Sequence, residues 1–231
     1  MTLSLNEIEV TVRKAALGAG LPLGLAEDAG AVAAWLAAGG FPVAELMQEA
    51  LVSAQAGEPR LVRAGQVYRS AAGEGPCAAL RLLPSACDLV LAAASGGGTA
   101  VEAVIDLPVL AVAQAAVACA GGATPLAVEI EGRLRAATGA GQTAIVGTAA
   151  ELSEFRSAPV RIRVARDEDF AAASADRTAD LARARGSALE AGVRVEEAAW
   201  RQIEALAALT LVPATAQSRE RGAGAGLVDL D

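Results

Sequence analysis

The sequence predicts an α+β domain, with helical N- and C-terminal segments packed on a central mixed, mostly antiparallel sheet. Three observations predict it. Residues 1–57 repeat their apolar positions at helical spacing. Residues 58–167 shift to short alternating runs bounded by glycine and proline. Residues 168–231 return to helical spacing before a glycine-rich tail. A length of 231 residues fits one such domain with a sizeable core.

Ser4-Leu5-Asn6-Glu7 fits a capping box, in which the Ser4 hydroxyl accepts from the Glu7 amide and the Glu7 carboxylate reaches back. The helix it opens runs to about Leu17. Leu5, Ile8, Val12 and Ala15/Ala16 share its apolar face, and Glu9 and Arg13 form an i,i+4 pair on another. Gly18-Ala19-Gly20 and Pro22 end it. A second helix covers about Leu25 to Ala38, with Ala29, Val32, Ala33 and Leu36 as its stripe and Gly39-Gly40 as its stop. Pro42 suits the first turn of a third helix, through about Ala56.

Leu61–Arg63 and Gln66–Arg69 predict a hairpin around Ala64-Gly65. Cys87–Leu91 and Ala100–Ile105 read as strands separated by the Ser95-Gly96-Gly97-Gly98 loop. Pro108–Cys119 fits a buried helix or a buried strand, and periodicity leaves the choice open. Leu126–Glu131, Thr143–Val146 and Val160–Val164 read as strands. In the last, Val160, Ile162 and Val164 point inward while Arg161 and Arg163 point outward. Asp167-Glu168-Asp169 introduces a charged helix near Arg177 to Arg185. A final helix runs from about Val195 to Leu209, with Ala198/Ala199, Ile203 and Leu206 on its stripe and Trp200 beside it.

Composition excludes much chemistry. Alanine supplies 59 residues, and there is no histidine. Catalytic triads, Cys-His dyads and imidazole-dependent metal centres are therefore excluded. Lys14 is the one lysine and the one side chain able to form a Schiff base. The net charge of −8 and an aromatic content of 3% lack the phosphate-neutralising charge and stacking surface of a nucleic-acid binder. Leu107–Val128 is uncharged but rich in alanine, glycine and proline, so core elements are expected there and no membrane span. The N-terminus lacks a basic-then-apolar pattern, so no signal peptide is expected and the cytoplasm is the expected location. Cys77, Cys87 and Cys119 lie among apolar residues and read as buried reduced thiols.

Three clusters are candidates for chemistry. The first is the polar face of the first helix, with Asn6, Glu7, Glu9, Arg13 and Lys14. A lysine near carboxylates can hold an acidic substrate or, with a lowered pKa, act as a base, whereas the same pattern also makes a solvated face with ordinary ion pairs. The second is the tail, where Ser218, Arg219, Arg221, Gly222, Gly224 and Gly226 allow close backbone approach and capture of a carboxylate or phosphate, or form a flexible terminus. The third is Ser95–Thr99, which can cradle an anion or be a plain turn, and which matches no nucleotide-binding fingerprint. Asp88, Glu102 and Asp106 form no EF-hand or clustered DxD pattern, so no metal centre is expected. Nothing in the sequence selects a cofactor.

Both ends carry a resemblance. Ser4–Glu7, Lys14–Gly20, Pro22, Leu25–Gly30 and Trp35-Leu36 resemble a bacterial family known as domain of unknown function 3726. So do Val212–Thr215, Ser218-Arg219, Gly222–Leu227 and Asp229. The resemblance is strong over about residues 3–40 and 190–231 and looser between them. This chain has Leu211 where similar members often have an aromatic, and Leu230-Asp231 where they have Asn-Asp. The resemblance implies that the two ends are the family's signature; it brings no activity with it.

The expected function is therefore an enzyme or binder of a small anionic metabolite, with its site between the first helix and the C-terminal tail. Lys14, Arg13 and Arg221 would hold the anion, with Ser218, Gly222 and Gly224 beside it and Glu7 as the acid-base residue. The alternative is a non-catalytic accessory or assembly protein whose chain ends form an interface. Alanine-rich helices pack closely, which suits a homo-oligomer in either case.

Overall fold

A computed structural model describes residues 1–71, 75–96, 98–139, 141–173 and 178–211; of 178–180 it describes the backbone. The two ends of the described chain are tied together. Strand β1 (Thr2–Leu3) pairs antiparallel with β9 (Val193–Arg194). The Met1 ammonium donates to the Val195 carbonyl at 3.2 Å, and the Val195 amide returns a bond to the Met1 carbonyl at 3.0 Å.

Helix α1 (Leu5–Gly18) starts at the predicted capping box, with both reciprocal bonds between Ser4 and Glu7 in place. It packs between α2 (Leu23–Ala38) and α9 (Glu197–Ala208). Small residues make this possible. A Cβ on Gly18 would stand 2.0 Å from the Leu206 carbonyl oxygen, and one on Gly30 would stand 2.8 Å from the Glu9 carbonyl oxygen. Ala15, Ala16, Ala26, Ala29 and Ala33 are buried in the same layer. Gly30 thus occupies the space beside Glu9 and Arg13, and no ion pair joins those two side chains. The expected i,i+4 pair gives way to helix packing. Helix α3 (Val43–Ser53) and a short 3₁₀ turn complete this layer; Gln48 of α3 donates to Gln202 of α9 at 3.0 Å.

The main sheet has seven strands in the order β2-β3-β4-β8-β5-β6-β7. Strands β2 (Leu61–Ala64) and β3 (Val67–Ser70) form the predicted hairpin, with Gly65 supplying the positive φ of 65°. Strand β3 runs parallel to β4 (Ala100–Asp106), connected by α4 (Ala79–Ala92). All other pairings are antiparallel: β4 with β8 (Ser157–Val164), β8 with β5 (Leu126–Ile130), β5 with β6 (Arg133–Gly139), and β6 with β7 (Gln142–Ile145). The β5–β6 turn places Glu131 and Gly132 at φ 53° and 71°, both in the left-handed region that a tight hairpin requires.

Helices α4 and α5 (Val109–Cys119) cover one sheet face, where Val101, Ile105, Val128, Val160 and Ile162 are buried. Helix α7 (Asp167–Ala173) covers part of the other face at β6 and β7, through Phe170 against Ala137 and Ala144. Helix α8 (Thr178–Ala191) lies along β7 and the end of α2. Helix α6 (Ala149–Ser153) has its own capping box from Thr148 and Glu151.

One sequence expectation changes, and one that periodicity left open is settled. Cys87–Leu91 is helical, inside α4, because Leu80, Leu83, Cys87 and Val90 form a buried face at helical spacing that continues through Pro84. Proline and the short apolar run together imitate a strand. Pro108–Cys119 resolves as helix α5, buried on nearly every side, which erases any amphipathic period. No helix among the described residues is long and apolar enough to cross a membrane.

Candidate functional site

A cleft of about 390 Å³ opens where the end of α2, strand β7 and helix α8 meet. Its shape begins with the stop of α2. Gly40, at φ 75°, turns the chain so that the Phe41 amide reaches the Leu36 carbonyl and the Gly40 amide reaches Ala37. This is a Schellman-type ending. It folds the Phe41 ring over Gly39, where a Cβ would stand 2.9 Å from the ring, and stacks it on Trp35 with centroids 5.8 Å apart. The half-buried indole of Trp35 thereby becomes one wall of the cleft.

Strand β7 contributes Gln142 and Thr143 to the lining. The Thr138 hydroxyl donates to the Gln142 carbonyl at 3.2 Å and lies 2.9 Å from the Thr143 hydroxyl. A hydroxyl has one proton to give, so Thr143 donates to Thr138 and keeps acceptor capacity of its own. Helix α8 supplies Leu181 and Arg185. Arg185 is exposed, and no carboxylate among the described residues forms an ion pair with it. Past Leu181 and Gly39 the hollow continues into a second space of about 290 Å³, lined by Phe41, Ile145, Thr148 and Ala184. The whole groove offers an aromatic wall, an apolar floor, an amide, a hydroxyl and one guanidinium. No carboxylate, thiol or amine is among the described residues lining it.

The residues expected from sequence stand elsewhere. Glu7 is exposed and committed to the cap of α1, and the Ser4 backbone amide holds its carboxyl below the ordinary glutamate range. That state suits a cap and opposes a role as general acid. Arg13 is half-buried beside Gly30, and Lys14 is exposed. None of these three lines the groove. Ser218, Arg221, Gly222 and Gly224 lie outside the described residues. Sequence reasoning missed Gln142, Thr143 and Arg185, which belong to distant segments. The signal available was Trp35, one of two tryptophans, four residues before a Gly39-Gly40 stop.

A second cleft, of about 400 Å³, lies over the other face of the sheet and includes Gly98 and Thr99 from the predicted anion loop. Arg161, Arg163 and Arg166 line it. Arg163 is held on three sides: both terminal nitrogens donate to Asp169 at 2.7 Å, and Nε donates to Glu129 at 2.8 Å. The outward-pointing residue predicted by alternation is thus largely covered, its side chain 20% exposed. The hydrogen bonds from Arg163 lower the Asp169 carboxyl, and Asp169 in turn keeps Arg163 firmly protonated. Glu102 bridges Arg69 at 3.1 Å and Arg161 at 3.6 Å.

Buried Asp106 and half-buried Asp28 have no such cation among the described residues. Asp106 accepts from the Ala79 amide at the start of α4 at 2.6 Å; burial pushes its carboxyl above the ordinary range. Burial and the nearby Asp88 likewise raise Asp28 on α2, against a hydrogen bond from Gln114. Burial also pushes the thiols of Cys87 and Cys119 upward, which makes them poor nucleophiles. All three cysteines are buried and free, as their apolar neighbours predict.

Comparison with known proteins adds a family match over part of the chain and a shared fold. Residues 3–74 match the family described as protein of unknown function (DUF3726), in agreement with the resemblance at the N-terminal end. No curated protein matches the sequence. Among solved structures, the fold is similar to malate dehydrogenase from Entamoeba histolytica. The TM-score is 0.60 at 8% identity, over 93% of this chain and 99% of that one. A delta1-piperideine-2-carboxylate reductase from Pseudomonas syringae pvar. tomato aligns with a TM-score of 0.49 at 13% identity, over 89% of this chain and 99% of that one.

Proposed function

We propose that the protein binds a small organic anion in the groove between α2, β7 and α8. The observation that carries this reading is Arg185, which lines the same cleft as Trp35 and has no acidic partner among the described residues. An unpaired guanidinium offers a two-pronged fork to a carboxylate. Trp35 and Leu181 supply contact area for the organic part, and Gln142 and Thr143 supply orienting hydrogen bonds. A malate dehydrogenase shares the fold, and a cleft of about 390 Å³ has room for a small organic acid.

A second location for the same function is the α1–tail region. Its support is the packing at Gly18, where a Cβ would stand 3.4 Å from Leu209, one helical turn beyond Lys14 and near the point where the tail begins. There Lys14, Arg13 and Arg221 would hold the anion. Leu209 and Leu211 are 68% and 64% exposed at this end, which also supports the rival reading of an interface between chains.

A thermal-shift screen of the full chain against small mono- and dicarboxylates separates these readings, because a ligand that binds the native state raises its stability. The groove reading expects a stabilising carboxylate whose effect disappears in Arg185→Gln and persists in Lys14→Gln. The reverse pattern assigns the ligand to α1 and the tail. No stabilisation by any carboxylate, with a concentration-dependent dimer in its place, favours the interface.

A further inference from the structure

The second cleft carries a separate assignment: we infer that it is a binding site for the phosphoryl group of a small phosphorylated molecule. The sheet itself arranges the donors. Arg161 and Arg163 alternate onto one face of β8, and Arg166 follows just beyond the strand end. The register sets Ala100 opposite Arg163 and Glu102 opposite Arg161, so the Gly98-Thr99 approach to β4 arrives beside the arginines. Gly98, Thr99 and the three arginines line a single cleft of about 400 Å³, and no aspartate or glutamate is among its described lining residues.

The acids of this region serve another purpose. Asp169 and Glu129 lock the plane of Arg163, and Glu102 stands behind Arg161 at a loose 3.6 Å. Arg166 is tied through its backbone amide to Asp169 at 2.7 Å, which fixes where its side chain begins, while its guanidinium is 74% exposed and pairs with Glu168 at 3.1 Å. Arg163 is therefore positioned before a ligand arrives and Arg166 starts from a fixed backbone, which lowers part of the ordering cost of binding. With four arginines and four acids the neighbourhood is balanced, so a single negative charge gains little by entering. A group with two charges and three oxygens on one centre offers Arg161 and Arg166 more charge and more acceptor sites than a carboxylate with one charge and two oxygens. Thr99 adds small polar bulk at the wall, its hydroxyl donating to the Gln66 carbonyl at 2.6 Å.

The test is calorimetric titration of the full chain with inorganic phosphate and with pyrophosphate, at ionic strength held constant with sodium chloride. The expected result is saturable binding, tighter for pyrophosphate, and weakened about tenfold by each of Arg161→Gln and Arg166→Gln. Arg166→Gln alters an exposed side chain and keeps the fold, so it decides the matter should Arg161→Gln unfold. Arg185→Gln leaves this binding unchanged. The inference is overturned by an absence of saturable binding in the wild type, by equal binding in folded Arg166→Gln, or by loss of binding in Arg185→Gln, which would move the anion to the first groove.

Discussion

The two clefts use arginine in opposite ways. In the groove beside Trp35, one guanidinium stands without an acid among the described residues, and most of the remaining wall is apolar. In the cleft over β4 and β8, three arginines stand together and each has a carboxylate behind it. An unpaired arginine favours any carboxylate that brings its own organic body. Paired arginines are held in place by the fold, contribute to its stability, and select for a ligand with more than one charge. One region stores its charge for a ligand; the other spends much of it on the architecture.

The largest expected effect follows from that contrast. Arg163→Ala leaves Asp169, 6% exposed, without its cation. Breaking a largely covered network of this kind costs about 2–3 kcal/mol, with some relief because Arg163 keeps partial contact with solvent. Arg185→Ala is expected to change stability by less than about 0.5 kcal/mol, as for an exposed side chain without partners. Urea denaturation of both variants measures the difference directly; similar losses for both would remove the distinction between the clefts.

Acid sharpens the same comparison. Asp169 is lowered in the folded state, so the stability it contributes is present above the unfolded carboxylate value, about 3.9, and disappears as pH falls through the lower folded value. Asp106 is raised, so its contribution has the opposite sign: present at low pH and lost as pH rises through its folded value. The stability gap between wild type and Arg163→Ala should therefore narrow below about pH 4. A gap that stays constant from pH 7 to pH 3 would show that the Arg163–Asp169 charge pair contributes nothing.

A smaller effect is expected from salt. Exposed charges are screened over about 8–10 Å at ordinary ionic strength. Binding of a doubly charged phosphoryl group should weaken more steeply with sodium chloride than binding of a carboxylate at Arg185. Parallel titrations at three salt concentrations check the order of the slopes, and the opposite order contradicts it.

Much of the fold was legible because its signals are local. The Ser4–Glu7 cap, the Gly65 hairpin and the Gly39-Gly40 stop each lie within a few residues and act through backbone geometry. Strand β6 was overlooked because its Arg-Leu-Arg-Ala-Ala-Thr-Gly run has few large apolar residues to mark alternation. Cys87–Leu91 imitates a strand because it is a short apolar run, while the buried helical face of α4 begins before Pro84 and continues past it. The groove was not legible at all. Trp35, Gln142 and Arg185 meet through the pairing of β6 with β7 and the placement of α8, and neither is written in local periodicity. The cap also explains why Glu7 was a weak acid-base candidate: the motif that announced the helix had already assigned its carboxylate. Even the alanine content gains a physical use, since Ala15, Ala16, Ala29 and Ala33 let α1 and α2 pack at close range.

The groove assignment is tested most directly by tryptophan fluorescence during titration with malate and with larger organic acids. Trp35 lines the cleft, whereas Trp200 is 1% exposed in the core, its indole N–H donating to Glu204 at 3.1 Å. A saturable change in emission is expected for at least one organic acid. It should be absent in Trp35→Phe and require at least about tenfold more ligand in Arg185→Gln, a loss of roughly 1.4 kcal/mol. A response that persists in Trp35→Phe, or the same affinity with and without Arg185, would contradict the assignment.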